Sequence, residues 1–130
     1  MLVFIPETIT IRRSHLFQDT VDEYDKILIK SSPIQIVMIN EFGMGEPGED
    51  GGGILIEFLQ DFFSIVIDEK FGMFKLNKYG EYCPNLEFPS KNANYAKLYE
   101  IFGYYLGQVN KIIIQTKIFY RLESCIKNNY

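Results

Sequence analysis

The residues that first suggest chemistry form a glycine-rich, acidic run at residues 40–58, NEFGMGEPGEDGGGILIEF, which holds six of the chain's ten glycines. A glycine-rich turn ahead of a helix is typical of phosphate-binding loops, which also need a lysine to offset the phosphate charge. No lysine or arginine lies between Asn40 and Lys70. The first half of the run carries four acids, Glu41, Glu46, Glu49 and Asp50. Because these carboxylates repel a polyphosphate, the sequence disfavours a phosphate site.

Two other interpretations of this run concern calcium and a structural loop. Calcium loops present acids at alternating positions around one central glycine, a spacing that this run does not follow. The favoured interpretation is a strand-to-helix connection in which Asp50 accepts hydrogen bonds from the first amides of the helix. The basic pair, Arg12 and Arg13, ends a predicted strand. We expect one of the two to form an ion pair with Glu41 or Glu57.

The remaining candidates for catalysis or metal binding are His15, Cys83 and Cys125. His15 has no evident partner for a catalytic triad, so a solvent-facing side chain is expected. The two cysteines lie far apart, without the spacing of a zinc site, and free thiols in a reducing compartment are expected. The sequence therefore predicts no catalytic residue, no cofactor-binding residue and no metal ligand.

The composition predicts a single, partial domain over residues 1–130, with a disordered or extended lead-in at residues 1–8. Hydrophobic residues make up 47% of the chain, enough for a real core. The net charge of −4 argues against a general nucleic-acid binder, which needs a basic face. No stretch resembles a signal peptide or approaches the length of a spanning helix. We therefore expect a soluble cytoplasmic protein, with the nucleus as the alternative.

The hydrophobic pattern predicts an α+β fold, mainly helical with a few short strands. Ser14 is the expected cap of the first helix, and Asp19 is expected on its solvated face. Gly103 and Gly107 lie four residues apart in a predicted helix, which indicates a close approach by another backbone. The predicted helices are residues 14–30, 52–67, 94–110 and 115–128. The predicted strands are residues 8–13, the buried Ile34–Ile39, and two short extended segments, 72–76 and 81–88, on either side of a turn at 78–80.

Read in order, these motifs resemble the first part of the N-terminal lobe of HECT-type ubiquitin ligases, from about residue 9 to residue 125. The family pattern of Arg-x-x-Leu-x-x-Asp is matched by RRSHLFQD, and later motifs are matched by FGMF, FGYYLG and KIFYRLESC. The acidic run matches at Glu41, Gly43, Asp50, Gly52, Gly53, Glu57 and Phe58. The chain departs from the family at Ile56, where arginine is common, in an insertion-like EPGE, and in its short CPNLEFP stretch.

The resemblance implies a part in ubiquitin transfer. In the family, ubiquitin passes from a conjugating enzyme to a cysteine on a C-terminal lobe and then to a substrate lysine. Neither Cys83 nor Cys125 matches that cysteine, so this chain is expected to support the transfer without performing it. The implied partners are a ubiquitin-conjugating enzyme, ubiquitin and a protein substrate, with self-association through exposed apolar surface. The alternatives are a free-standing, degenerate binding module and an unrelated α+β domain whose acidic loop binds a cation. The family-motif residues with a structural role are Arg12, Arg13, Glu41, Asp50, Gly52, Gly53, Glu57, Phe58, Gly103 and Gly107.

Overall fold

A computed structural model describes residues 6–46 and 53–112, and the chain divides into two compact units, Met1–Phe62 and Phe63–Tyr130. Helix and short strand alternate, with helix dominant, which confirms the predicted α+β class. The predicted last helix, residues 115–128, lies outside the described residues. In chain order the elements are β1 (Glu7–Arg12), a 3-10 turn (Arg13–His15), α1 (Leu16–Tyr24), β2 (Ile34–Ile39), α2 (Gly53–Val66), β3 (Phe74–Leu76), β4 (Tyr82–Pro84), α3 (Phe88–Lys91) and α4 (Tyr95–Ile112).

The first unit is built on a parallel pair of strands, β1 and β2. Ile9 lies opposite Ile36 and Ile11 opposite Met38. All four side chains are buried, and they share one face because side chains alternate along a strand. Gln35 is exposed on the other face. The prediction that β2 is buried on both sides is therefore wrong for that face.

Helix α1 ends at Tyr24, six residues before the predicted end at residue 30. Its predicted continuation is replaced by tertiary contacts. The carboxylate of Glu7 accepts the amides of Leu28 and Ile29 at 2.8 and 3.1 Å. The ammonium of Lys30 donates to the Tyr24 and Ile27 carbonyls at 2.7 and 3.0 Å. These partners satisfy backbone groups that a longer helix would bond internally, and Leu28 is left 87% exposed.

The start of α1 also differs from the prediction, because Ser14 does not cap it. A 3-10 turn delays the helix to Leu16, so His15 is the capping residue and its side chain makes no capping hydrogen bond. The Ser14 hydroxyl instead lies 2.7 Å from His15 Nδ1. Both side chains are exposed, as expected for His15.

The second unit contains the predicted turn between two short strands. β3 and β4 pair antiparallel, with Phe74 opposite Pro84. Asn77 N donates to Glu81 O at 2.8 Å, and Gly80 has a positive φ of 76° that favours glycine. The short helix α3 follows, in a segment that the sequence predicts as irregular because of its prolines.

The core of the second unit is an aromatic cluster. The ring of Phe102 lies 4.7 Å from that of Phe74 and 5.4 Å from that of Phe63, and the ring of Tyr99 lies 5.7 Å from that of Phe88. The Tyr99 hydroxyl donates to the carbonyl of Met73 at 2.6 Å. Burial raises the pKa of Tyr99 above its usual value.

Two glycines of α4 carry the prediction of a close approach by another backbone, which the described residues do not test. Gly103 and Gly107 are exposed, and nothing among the described residues lies within 4 Å of a Cβ built at either position. The described part of the chain therefore supplies no backbone that requires glycine there.

Candidate functional site: an arginine pair beside an acidic turn

The candidate site is organised by the basic pair. Arg12 is the last residue of β1 and Arg13 the first of the 3-10 turn. The chain changes direction between them, and the two guanidinium groups reach carboxylates on different elements.

Arg12 binds Asp19, in the first turn of α1. Its backbone N and its Nε donate to Asp19 Oδ2 at 2.8 and 2.9 Å, and its Nη2 donates to Oδ1 at 2.8 Å. Asp19 is only 8% exposed, so the predicted solvated position is wrong. Hydrogen bonds from Arg12 favour the charged carboxylate and hold the pKa of Asp19 below its usual value. The contact fixes the end of β1 to the start of α1.

Arg13 binds two carboxylates that are distant in sequence, and we call this group the Arg13 clamp. Its Nε donates to Glu46 Oε2 at 2.8 Å and its Nη2 lies 2.6 Å from the same oxygen, whereas its Nη1 lies 2.8 Å from Glu57 Oε1. Glu46 ends the acidic turn, residues 40–46, and Glu57 belongs to α2. The clamp thus connects residues on either side of the glycine-rich segment 47–52, and it confirms the predicted ion pair with Glu57.

The charges of the clamp stabilise one another. Hydrogen bonds from Arg13 lower the pKa of Glu57, and the two carboxylates raise the pKa of Arg13. Arg13 is one cation between two acids, so the clamp keeps a net negative charge. Its donors already serve carboxylates, which makes it unsuitable for binding a phosphate.

The acidic turn is fixed by its own hydrogen bonds. Asn40 Oδ1 accepts the amides of Phe42 and Met44 at 2.9 and 3.0 Å. Gly43 has a positive φ of 75°, which suits glycine. Glu46 N donates to Met38 O at 2.8 Å, which returns the chain to β2. The turn therefore has a defined shape without a metal or ligand.

Two further properties of the described residues bear on what the site can do. No group of three or more His, Cys, Asp or Glu side chains among them could hold a metal ion. None of the helices described is long and apolar enough to cross a membrane.

The amino-acid sequence is similar to those of E3 ubiquitin ligases. A probable E3 ubiquitin protein ligase of Schizosaccharomyces pombe is 33% identical over 101 residues, 75% of this chain and 10% of that protein. Ubiquitin-protein ligase E3B of Homo sapiens is 29% identical over 106 residues, 77% of this chain and 10% of that protein. E3 ubiquitin-protein ligase UPL6 of Arabidopsis thaliana is 32% identical over 76 residues, 56% of this chain and 7% of that protein. No family model matches the chain.

The chain is a relative of E3 ubiquitin ligases. This confirms the kinship with ubiquitin ligases that the order of the motifs predicted. The chain spans about a tenth of the length of the first of these curated relatives.

The structure brings together some of the motif residues that this kinship singles out. Arg13 and Glu57 are in direct contact, and Phe58 follows Glu57 with its ring fully buried, 6.0 Å from that of Phe62. Glu41 is exposed on the acidic turn. Gly53 begins α2, Asp50 and Gly52 lie outside the described residues, and Gly103 and Gly107 belong to α4 in the second unit.

The sequence analysis missed the roles of three residues of the candidate site. The ligase pattern could have indicated Asp19, because it places an aspartate seven residues after Arg12. The acidic residues around Asp19 favoured a solvated face instead. Glu46 was one of four candidate acids in the loop, and nothing in the sequence distinguished it from the others. Asn40 likewise gave no signal of its role in the turn.

The state of Cys83 also differs from the prediction. Cys83 is disulfide-bonded, so the prediction of a free thiol there is wrong. The sequence carried no signal for it, because separation along the chain does not report distance in space. Cys125 lies outside the described residues.

Proposed function

We propose that this chain forms part of the N-terminal lobe of a HECT-type ubiquitin ligase and positions that lobe without supplying the acceptor cysteine. In such an enzyme a cysteine thioester carries ubiquitin on its way to a substrate lysine. A covalent intermediate of this kind divides one difficult acyl transfer into two easier ones. This chain contributes scaffold to that reaction rather than a reacting group.

The observation that carries the proposal is the Arg13 clamp. Arg13 and Glu57 are both positions at which the chain matches the ligase pattern, and they form a 2.8 Å ion pair. Glu46, the second partner of Arg13, lies just ahead of the glycine-rich segment. Similarity to E3 ubiquitin ligases over 75% of the chain supports the same function.

A second candidate, a non-catalytic binding module, is favoured by one position. Ile56 stands where arginine is common in the HECT pattern, and it is half-buried in α2. The isoleucine lacks the positive charge that arginine provides at this position of the HECT pattern. Such a module would bind partners of the pathway and take no part in thioester chemistry.

A chimera separates the two candidates. The matching segment of the Schizosaccharomyces pombe relative is replaced by this chain, and the product is incubated with activating enzyme, conjugating enzymes, ubiquitin and ATP. The scaffold proposal expects a ubiquitin adduct that a reducing agent removes, as in the parent ligase. A folded chimera that forms no adduct, where the parent does, would contradict it and favour the module.

Variants of the chimera test the role of the clamp. Arg13→Ala removes both ion pairs of the clamp. It is expected to reduce adduct formation severalfold, because Glu46 and Glu57 are then no longer connected across the glycine-rich segment 47–52. Lys75→Ala is the matched control, since it removes an exposed cation that lies 3.9 Å from the carboxylate of the exposed Glu87. Equal activity of the two variants would show that the clamp is dispensable for transfer.

A further inference from the structure

The feature that the scaffold role leaves unexplained is the loop between α1 and β2, residues 28–33, LIKSSP, which we call the serine loop. Lys30, Ser31 and Pro33 are exposed, and Ser32 is half-buried. The loop therefore presents two neighbouring hydroxyl groups at the surface, and the second is followed directly by proline. None of these side chains takes part in the Arg13 clamp.

The serine loop is attached to the fold on both sides of its hydroxyl groups. The carboxylate of Glu7 accepts the amides of Leu28 and Ile29 at 2.8 and 3.1 Å. The backbone N of Glu7 donates to Pro33 O at 3.0 Å, and Ser32 N donates to Ile29 O at 3.1 Å. One residue of β1 thus fixes the beginning and the end of the loop, and the two serines lie between these attachments.

The serine–proline pair indicates which chemistry the loop can undergo. Proline has no backbone N–H, and it favours an extended conformation in the residue before it. A protein kinase binds its acceptor residue in an extended segment. A kinase whose groove makes no hydrogen bond to the amide after the acceptor can therefore select proline there. Ser32 meets this requirement, whereas Ser31 is followed by another serine.

We propose that Ser32 is a phosphorylation site for a proline-directed serine kinase, and that the phosphate weakens the contacts that fix the serine loop. In the transfer, Ser32 Oγ forms a bond to the γ-phosphorus of ATP. The bond between this phosphorus and the β-phosphate oxygen breaks, ADP leaves, and a carboxylate of the kinase accepts the hydroxyl proton. The inference is independent of the proposed function.

The charges around the loop determine the effect of the phosphate. Phosphoserine carries a charge of about −2 at neutral pH, so it repels the Glu7 carboxylate that holds the loop. Lys30 is the cation of the loop, but its ammonium already donates to the carbonyls of Tyr24 and Ile27 at 2.7 and 3.0 Å. A phosphate that attracted Lys30 would take this donor from the end of α1. Repulsion of Glu7 and capture of Lys30 therefore both weaken the connection between α1 and β2.

The first test is phosphorylation of the full chain by a purified mitogen-activated protein kinase, a class that selects serine followed by proline, with magnesium and ATP. Mass spectrometry should locate one phosphate in the serine loop, on Ser32. Pro33→Ala should lower the initial rate at least about tenfold. Ser31→Ala is the matched control and should leave the rate unchanged.

A synthetic peptide of residues 26–38 separates the recognition of the motif from its accessibility in the fold. The folded chain should be phosphorylated at a rate within about tenfold of that of the peptide, because the loop is at the surface. The change Pro33→Ala in the peptide should lower its rate as it does in the chain. This comparison keeps the test valid if that variant of the chain folds poorly.

The second test is thermal unfolding followed by circular dichroism. The phosphorylated chain should unfold at a midpoint about 2–4 °C below that of the unmodified chain. In the double variant Glu7→Gln, Lys30→Met the phosphate should lower the midpoint by at most about half as much, since both charges on which it acts are absent. Asp22→Asn, at an exposed acid of α1, is the control and should show the full decrease.

Several results would overturn the proposal. Phosphorylation of the peptide but not of the folded chain would show that the fold blocks Ser32. A phosphate on Ser31, or an equal rate in Pro33→Ala, would contradict selection by proline. An unchanged or higher midpoint after phosphorylation, or the full decrease in the double variant, would contradict the effect on the loop.

Discussion

Both compact units bury apolar side chains, but charged hydrogen bonds are prominent in the first and aromatic ring contacts in the second. In the first unit the basic pair binds Asp19, Glu46 and Glu57, and Glu7 accepts two backbone amides. In the second unit the described contacts are dominated by aromatic rings, with centroid separations of 4.7–6.4 Å. Charged hydrogen bonds are directional and can fix the course of a loop, whereas ring packing depends mainly on the apolar area removed from water.

This difference explains why the candidate site lies in the first unit. A turn that presents Phe42 and Met44 needs its backbone held at defined points, and Asn40 and the Arg13 clamp supply them. Packed rings have no donor and acceptor positions, so they contribute mainly through the apolar area that they remove from water. The two units should therefore respond differently to truncation, acid and salt.

The largest effect is expected from truncating the aromatic core of the second unit. Phe102→Ala should lower the free energy of unfolding by about 3–5 kcal/mol, because it removes a buried ring and leaves a cavity. Phe42→Ala, at a ring that is 78% exposed, should change it by no more than about 0.5 kcal/mol. Urea denaturation followed by circular dichroism measures both, and a small effect of Phe102→Ala would contradict an area-driven core.

Removing the buried carboxylate of the first unit should have the next largest effect. Asp19→Ala leaves the Arg12 amide and guanidinium without their acceptor, at an expected cost of about 1–3 kcal/mol. The control is Asp22→Ala, an exposed acid on the same helix, with a change within about 0.5 kcal/mol. Similar values for the two variants would mean that the Arg12–Asp19 contact contributes little to stability.

Acid should distinguish the two kinds of contact. The folded pKa values of Asp19 and Glu57 lie below their unfolded values of about 4. Their contribution is therefore complete above about pH 4 and is lost as the pH falls through the folded values. In urea titrations between pH 6 and pH 2, the free energy of unfolding should fall less steeply with decreasing pH in the double variant Asp19→Asn, Glu57→Gln than in the unchanged chain. If the double variant lost stability in acid as steeply as the unchanged chain, groups other than Asp19 and Glu57 would cause the acid sensitivity.

The Arg13 clamp should contribute less than Asp19, because Glu57 is half-exposed. A double-mutant cycle with Arg13→Met and Glu57→Gln should give a coupling of roughly 0.5–1 kcal/mol at low salt. Raising the salt concentration to about 1 M should reduce it, because mobile ions screen exposed pairs. A coupling that did not change with salt would indicate a contact shielded from solvent.

The sequence predicted the elements better than their ends. Periodicity located β2, α2 and α4, and the pairs expected of the two arginines included Arg13–Glu57, which spans 44 residues. The sequence pattern could not predict the early end of α1, because Glu7 and Lys30 form hydrogen bonds with backbone groups from outside the helix. Local patterns report which face is apolar, whereas the partner of a charge depends on where the chain returns in space.

The smallest expected effect tests the glycines of α4, whose spacing predicts a close approach by another backbone. Because nothing among the described residues lies within 4 Å of a Cβ at Gly103 or Gly107, alanine should fit at both positions. Each Gly→Ala change should then stabilise the helix by about 0.5–1 kcal/mol, since alanine restricts the unfolded chain and favours helix. Urea denaturation of the two single variants measures this. Destabilisation at either position would show that another backbone does approach α4 there, as the spacing of the two glycines predicts.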